Sequence, residues 1–205
     1  MSGHPLEEYL AKIKKNATVN AMDFVREEET GAIKVADNAH VVIGGMIAGK
    51  TVKFTRSNKA MAFLTIEDLT GSVEVIVFPK DYERFSNFLN EDEKVFVVGH
   101  ATVEDEQNGK IICERIVPFD NVPREVWLQF ANKEAYATKE SELYAFLHDS
   151  DGNDEVVIYL TGEKAIKRLG KSRTVHANAD LLNRLTNFIG ENNVKVVEKN
   201  VEKKL

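Results

Sequence analysis

Between residues 41 and 117 the chain carries five strand-like segments with a single helical interruption after the third, and this order narrows the possible folds more than anything else in it. The first segment is Val41-Val42-Ile43-Gly44-Gly45-Met46-Ile47-Ala48-Gly49-Lys50-Thr51-Val52-Lys53-Phe54-Thr55. It is β-branched at one end and alternates polar with apolar at the other. Gly44, Gly45 and Gly49 stand where so long a strand would bend sharply or bulge. Arg56-Ser57-Asn58-Lys59 reads as a turn into Met61-Ala62-Phe63-Leu64-Thr65-Ile66-Glu67. The short loop Asp68-Leu69-Thr70-Gly71 then joins that segment to Ser72-Val73-Glu74-Val75-Ile76-Val77-Phe78 as a hairpin. Pro79 ends the strand pattern, and Tyr82, Phe85, Phe88 and Leu89 recur at helical spacing. Residues 94–98 and 110–117 supply the last two strands across a 105–109 loop. Period two sends Leu64, Ile66, Val73, Val75 and Val77 inward and turns Met61, Phe63 and Thr65 to the opposite face.

Three strands, a helix and two strands is the order of the five-stranded OB barrel, which binds oligonucleotides on its strand 2–3 face and adjoining loops. The residues also carry a family resemblance. Met61-Ala62-Phe63 leading into Glu67-Asp68-Leu69-Thr70-Gly71, followed by Val73-Glu74-Val75 and Val77-Phe78-Pro79, resembles the OB domain of bacterial replicative DNA polymerase III alpha subunits. The opening Ser2-Gly3-His4-Pro5-Leu6 is similar to the short motif that precedes that domain in the same polymerases. The likeness spans residues 2–119; beyond them the chain resembles only the family's variable C-terminal domain. The resemblance implies a fragment, because the family's catalytic aspartates and clamp-binding peptide precede the Gly-His-Pro motif. No catalytic residue and no cofactor is therefore expected here, magnesium belonging to the parent polymerase. The implied partners are single-stranded DNA, the rest of the alpha subunit and, through the C-terminal domain, the clamp-loader subunit tau.

At 205 residues the chain exceeds one OB barrel. We expect an N-terminal helix and linker over 1–37, an OB-fold domain over 38–120 and a small α+β domain over 121–205. Pro5, Glu7 and Glu8 suit a helix start, and Leu6, Tyr9, Leu10 and Ile13 form one stripe, so residues 5–15 read as an amphipathic helix loosely attached here. Residues 16–40, with the charged run Arg26-Glu27-Glu28-Glu29, read as a solvated linker. After Pro123 come an alternating strand over 124–130, a helix over 141–148, a strand over 155–160, and a weaker strand over 165–169 or near Thr174-Val175. Asn178 caps a helix over 179–189 closed by Gly190, and Val194-Lys195-Val196-Val197 ends a β-α-β-β-α-β unit. Residues 198–205 read as a frayed end.

The net charge of −6 excludes a uniformly basic nucleic-acid coat, so any such contact must come from a local patch. One exists. From residue 50 to 59 there are four cations, Lys50, Lys53, Arg56 and Lys59, no acid, and Phe54 among them. Cations interleaved with an aromatic suit single-strand binding, and Phe63 and Thr65 on the outer face extend the candidate surface, Phe63 as a stacking platform. The same features suit an edge hairpin guarded by lysines and an OB module that contacts protein alone. A third reading is an anticodon-binding barrel of a class II tRNA synthetase, which Phe63-Leu64-Thr65-Ile66 through Gly71 also resembles. The five histidines are scattered, Cys113 is single, and no phosphate-loop motif occurs. The carboxylate pairs Glu67–Asp68 and Asp105–Glu106 read as solvated turn residues. Lys164, Lys167, Arg168, Lys171 and Arg173 form a second basic cluster, read as a solvated hairpin. No apolar run approaches the roughly 18 residues of a membrane helix, and a soluble cytoplasmic protein is expected.

Overall fold

A computed structural model describes residues 4–202; Ser2 and Gly3 of the opening motif and residues 203–205 of the expected frayed end lie outside the described residues. The chain forms two compact units, Met1–Asn121 with Asn200–Leu205, and Val122–Lys199.

The first unit is a closed barrel of β1 (His40–Phe54), β2 (Ala60–Glu67), β3 (Ser72–Val77), β4 (Lys94–Thr102) and β5 (Lys110–Pro118) in the order β1-β2-β3-β5-β4. Its neighbours pair antiparallel except β3 and β5, which run parallel. That is the OB topology. Leu64, Ile66, Val73, Val75 and Val77 point inward as period two requires, joined by Ile43, Ile47, Val97 and Ile111. Helix α1 (Leu10–Asn16) precedes the barrel and α2 (Pro79–Phe85) bridges β3 to β4, with Pro79 at its first position, where a missing N–H costs nothing. Cys113 is part of the core, and burial pushes its thiol up to about 12, so it behaves as a small apolar residue.

β1 serves two partners, β4 along its first half and β2 along its second, and its register shifts between Ile47 and Gly49 where it turns from one to the other. A side chain on Gly45 would sit 2.5 Å from the Glu67 carbonyl oxygen, so only glycine lets β2 approach there.

Two expectations for the N-terminal region are corrected. The segment over 5–15 is a 3₁₀ turn, Glu7–Tyr9, running into the short α1, and it is not loose. Leu6 is fully buried, Tyr9 packs on Phe119 at 5.2 Å, and Lys12 donates to the Phe119 carbonyl at 2.9 Å. Residues 16–40 are likewise no solvated linker. Ala21, Phe24 and Val35 enter the barrel core, and Asn20 with Asp23 forms a reciprocal capping box. Burial alone would raise the Asp23 carboxyl, but the Lys34 ammonium at 2.5 Å and the Asn20 N–H outweigh it and hold it lowered.

The second unit is β6 (Arg124–Phe130), α3 (Lys133–His148), β7 (Glu155–Leu160), β8 (Ala165–Arg168), α4 (Ala179–Ile189) and β9 (Val194–Glu198), giving the β-α-β-β-α-β order. Its sheet runs β8-β7-β6-β9, with β6 and β7 parallel. Val126, Leu128, Phe130, Val156 and Ile158 meet Leu143 and Leu147 of α3 and Leu181 and Leu185 of α4. Asn178 caps α4 and Gly190 closes it at φ 96°, a conformation that suits glycine. Helix α3 starts eight residues before the sequence expectation, at an Asn132 cap that accepts from the Ala135 N–H. Val175 forms an isolated bridge to Asp154 beyond β8, and Arg124 grips the buried Asp154 carboxylate through two hydrogen bonds of 3.1 and 2.6 Å. The end expected to fray is ordered through residue 202: Glu198 closes β9, and Val201, back in the first unit, is buried with its N–H donated to Asn16 Oδ1 at 3.0 Å.

Candidate nucleic-acid interface

Antiparallel partners across β1, β2 and β3 point their side chains to one side of the sheet, so the register sorts the candidate residues by face. Lys53 opposes Met61, Thr51 opposes Phe63, and Phe63 opposes Ile76. Lys53, Phe63 and Thr65 therefore share the outer face, with the Lys53 ammonium over the Phe63 ring at 4.8 Å. Lys50 and Phe54 go the other way. They oppose Leu64 and Ala60, on the side that lower down forms the barrel core. The hairpin outruns the core there, and Phe54 is left 68% exposed. The candidate residues are thus split over two faces of one projecting hairpin.

Arg56 and Lys59 lie in the turn between them. Asn58 donates its N–H to the Thr55 carbonyl at 2.9 Å, and Thr55 donates to the Lys59 carbonyl at 2.9 Å. Asn58 takes φ 57°, the left-handed position usually filled by glycine and tolerated by Asn. This explains how a tip without glycine closes. Among the described residues, none of Lys50, Lys53, Arg56 and Lys59 forms an ion pair. The acids of the neighbourhood are engaged elsewhere: Glu74, opposite Thr65, is bridged by Lys110 at 3.2 Å.

Beside this face lies an open cleft of about 370 Å³ lined by Thr65, Glu74, Gln107, Asn108, Lys110 and the edge of Phe24. Its far wall is the loop between β4 and β5. Arg26 holds that loop, donating to the Gln107 carbonyl at 3.0 Å and the Glu104 carbonyl at 2.8 Å, while its N–H meets Asn108 Oδ1 at 3.0 Å. In the sequence Arg26 stands out only as part of a charged run, since backbone acceptors leave no pattern in a sequence.

Asp68 is corrected from solvated turn residue to buried anchor. Its Oδ1 accepts the Thr70 N–H at 2.7 Å, the Thr70 hydroxyl at 2.7 Å and the Gly71 N–H at 3.1 Å, and its Oδ2 accepts the Ala21 N–H at 2.8 Å. One carboxylate thus closes the β2–β3 turn and fastens the N-terminal segment to it. The scattered histidines yield one pair, His40 and His100, with rings 5.6 Å apart. Among the described residues no group of three or more His, Cys, Asp or Glu is arranged to hold a metal ion. No described helix is long and apolar enough to cross a membrane.

Residues 41–119 match the family model tRNA_anti-codon, described as an OB-fold nucleic acid binding domain. The chain is 26% identical over 168 residues to the DNA polymerase III subunit alpha of Borreliella burgdorferi, covering 78% of this chain and 14% of that protein. It is 24% identical over 197 residues to the subunit of the same name from Bacillus subtilis, covering 94% of this chain and 17% of that protein. With the subunit from Saccharopolyspora erythraea it shares 33% identity over 123 residues, 58% of this chain and 10% of the relative. The chain spans at most 17% of the length of these relatives.

Proposed function

From the premise that the chain is related over most of its length to DNA polymerase III alpha subunits and carries an OB-fold nucleic-acid-binding domain, we propose that residues 38–120 bind single-stranded template DNA. The observation that carries this reading is the outer face of the β1–β2 hairpin. In a chain of net charge −6, Lys53, without a carboxylate partner, covers a part-exposed Phe63 ring, and Lys50, Arg56 and Lys59, equally unpaired, are spread along the same hairpin to its turn. Cations take backbone phosphates and the ring stacks a base without regard to sequence. The cleft against the β4–β5 loop offers polar groups where the strand would continue.

Titration of fluorescein-labelled oligo-dT in low and high salt tests this. If three of the cations meet phosphates, the log-affinity slope against log salt is about −2, at roughly 0.7 per phosphate on a single strand. Absence of binding at low salt would transfer the surface to a protein partner, and preference for tRNA over oligo-dT would favour anticodon recognition. Residues 121–205 we assign to attachment within a cytoplasmic replication assembly, with the clamp-loader subunit tau as the partner, a pairing that co-purification of the two would test. The 205-residue chain itself we expect to have no polymerase activity: primer extension with magnesium and nucleotides should give no product above background, and robust extension would overturn the whole fragment reading.

A further inference from the structure

The basic cluster at 164–173 reads in sequence as a solvated hairpin, and the structure sorts four of its five members into two kinds. Lys167 is spent on Glu140 at 3.2 Å, and Arg168 on Glu125 at 2.5 Å and Glu155 at 3.4 Å. Lys171 and Arg173 form no ion pair among the described residues. They lie on a 3₁₀ turn, Lys171–Arg173, that follows Gly170 at φ 78°. Arg173 lays its guanidinium over the ring of Tyr144, with 3.8 Å from the central carbon to the ring centroid. Tyr144 is itself fixed: its hydroxyl donates to Glu140 at 2.8 Å and lies 3.0 Å from that of Tyr136. The stacked pair borders a cleft of about 850 Å³ whose other walls include Ser141, His148, Ser172 and Thr174, with Asp151 as a carboxylate at its rim.

A guanidinium stacked on a fixed aromatic ring presents a flat cationic plane. Its N–H fork can hold a phosphate in the guanidinium's own plane while its free face takes a base. Hydroxyls and a second cation beside it complete the donor set for a phosphodiester. We propose that the second unit carries its own site for single-stranded nucleic acid. One phosphate meets Arg173, Lys171 and the Ser172 and Thr174 hydroxyls, and the neighbouring base stacks on the Arg173–Tyr144 pair. This site shares no residue with the barrel surface and does not depend on it.

The test is photocrosslinking of the full chain to an oligo-dT containing 5-iodouracil, with the crosslinked peptides mapped by mass spectrometry. The barrel is silenced by Lys53→Ala, Arg56→Ala and Phe63→Ala together. A crosslink at Tyr144 is expected to survive in that background. Arg173→Glu should reduce it by about fivefold or more through loss of the stack and reversal of the charge. Arg173→Lys keeps the charge without the plane, and should weaken the crosslink while leaving the salt dependence of binding in place. The urea midpoint of Arg173→Glu should match the parent's, which separates a lost contact from a lost fold. The proposal fails if no crosslink forms near Tyr144, or if Arg173→Glu leaves it unchanged. It fails equally if thymidine monophosphate competes as well as the oligonucleotide at equal phosphate, since the site would then be one for free nucleotides.

Discussion

Lys53 and Phe63 should not contribute independently to DNA binding, because the ammonium of one sits 4.8 Å over the ring of the other. A base that stacks on that face must move the ammonium aside. Stacking is worth roughly 1–3 kcal/mol per base, and an exposed cation–π contact about 0.5–1 kcal/mol. Phe63→Ala should then cost a net ~0.5–2 kcal/mol without changing the salt slope, because stacking releases no counterions. Lys53→Ala should flatten the slope by about 0.7, the share of one phosphate. It also uncovers the ring, so at high salt, where the phosphate contribution is screened, this variant should bind as tightly as the parent or up to about fivefold more tightly. In the Phe63→Ala background that gain should vanish, a coupling of about 0.5–1 kcal/mol. Arg56→Ala is the control, as it touches no ring and should add to Phe63→Ala. The assay is fluorescence anisotropy with labelled oligo-dT on the parent, the three single variants and the two double variants across a salt series. A coupling below about 0.3 kcal/mol, within the scatter of independent sites, would show that no base occupies the ring face. A slope change in Phe63→Ala as large as that in Lys53→Ala would refute the division of labour between ring and cations.

Asp68→Ala should destabilise the first unit by about 1–3 kcal/mol, since it strands the buried Ala21 N–H and opens the Thr70 turn. Urea denaturation measures it, and a loss below about 0.5 kcal/mol would mean that residues 20–35 are not part of the cooperative barrel. Glu140 is held down to about 2 by the Tyr136 and Tyr144 hydroxyls and the Lys167 ammonium. Since its folded value lies below the ordinary 4.5, the stabilisation it brings is present above that value and is lost as the pH falls towards 2. Glu140→Gln should therefore narrow its stability gap to the parent over that acid range; a gap that does not change with pH would show that the hydroxyls do not depend on the carboxylate.

The barrel was legible because its strands alternate and its glycines punctuate them, so Leu64 and Ile66 declared the inner face and Phe63 the outer one. Helix α4 was equally plain between Asn178 and Gly190. The N-terminal segment was not, because Ala21, Phe24 and Val35 reach the core at irregular spacing among charges, and no period marks them. The first half of α3 was missed for a related reason: Lys133 to Lys139 is mostly polar, and its signal was the Asn132 cap rather than an apolar stripe. At the candidate site, composition revealed the cations but not their faces. The projecting hairpin carries Lys50 and Phe54 on one side and Lys53 on the other, and the strand pairing that decides this shifts register at Gly49. Asp68 and Arg26 act on backbone groups distant in sequence, a form of recognition that residue types alone do not disclose.

The bond between Asn16 and Val201 ties residues 185 positions apart, and it sets a schedule for synthesis. At about 5–20 residues per second, the buried Asn16 side chain waits roughly ten to forty seconds for its partner to be made. Everything from Val122 to Lys199 is translated in the interval. The first unit is therefore the earlier to begin folding and the later to finish, and a ribosome stalled within the second leaves the barrel formed but unlatched.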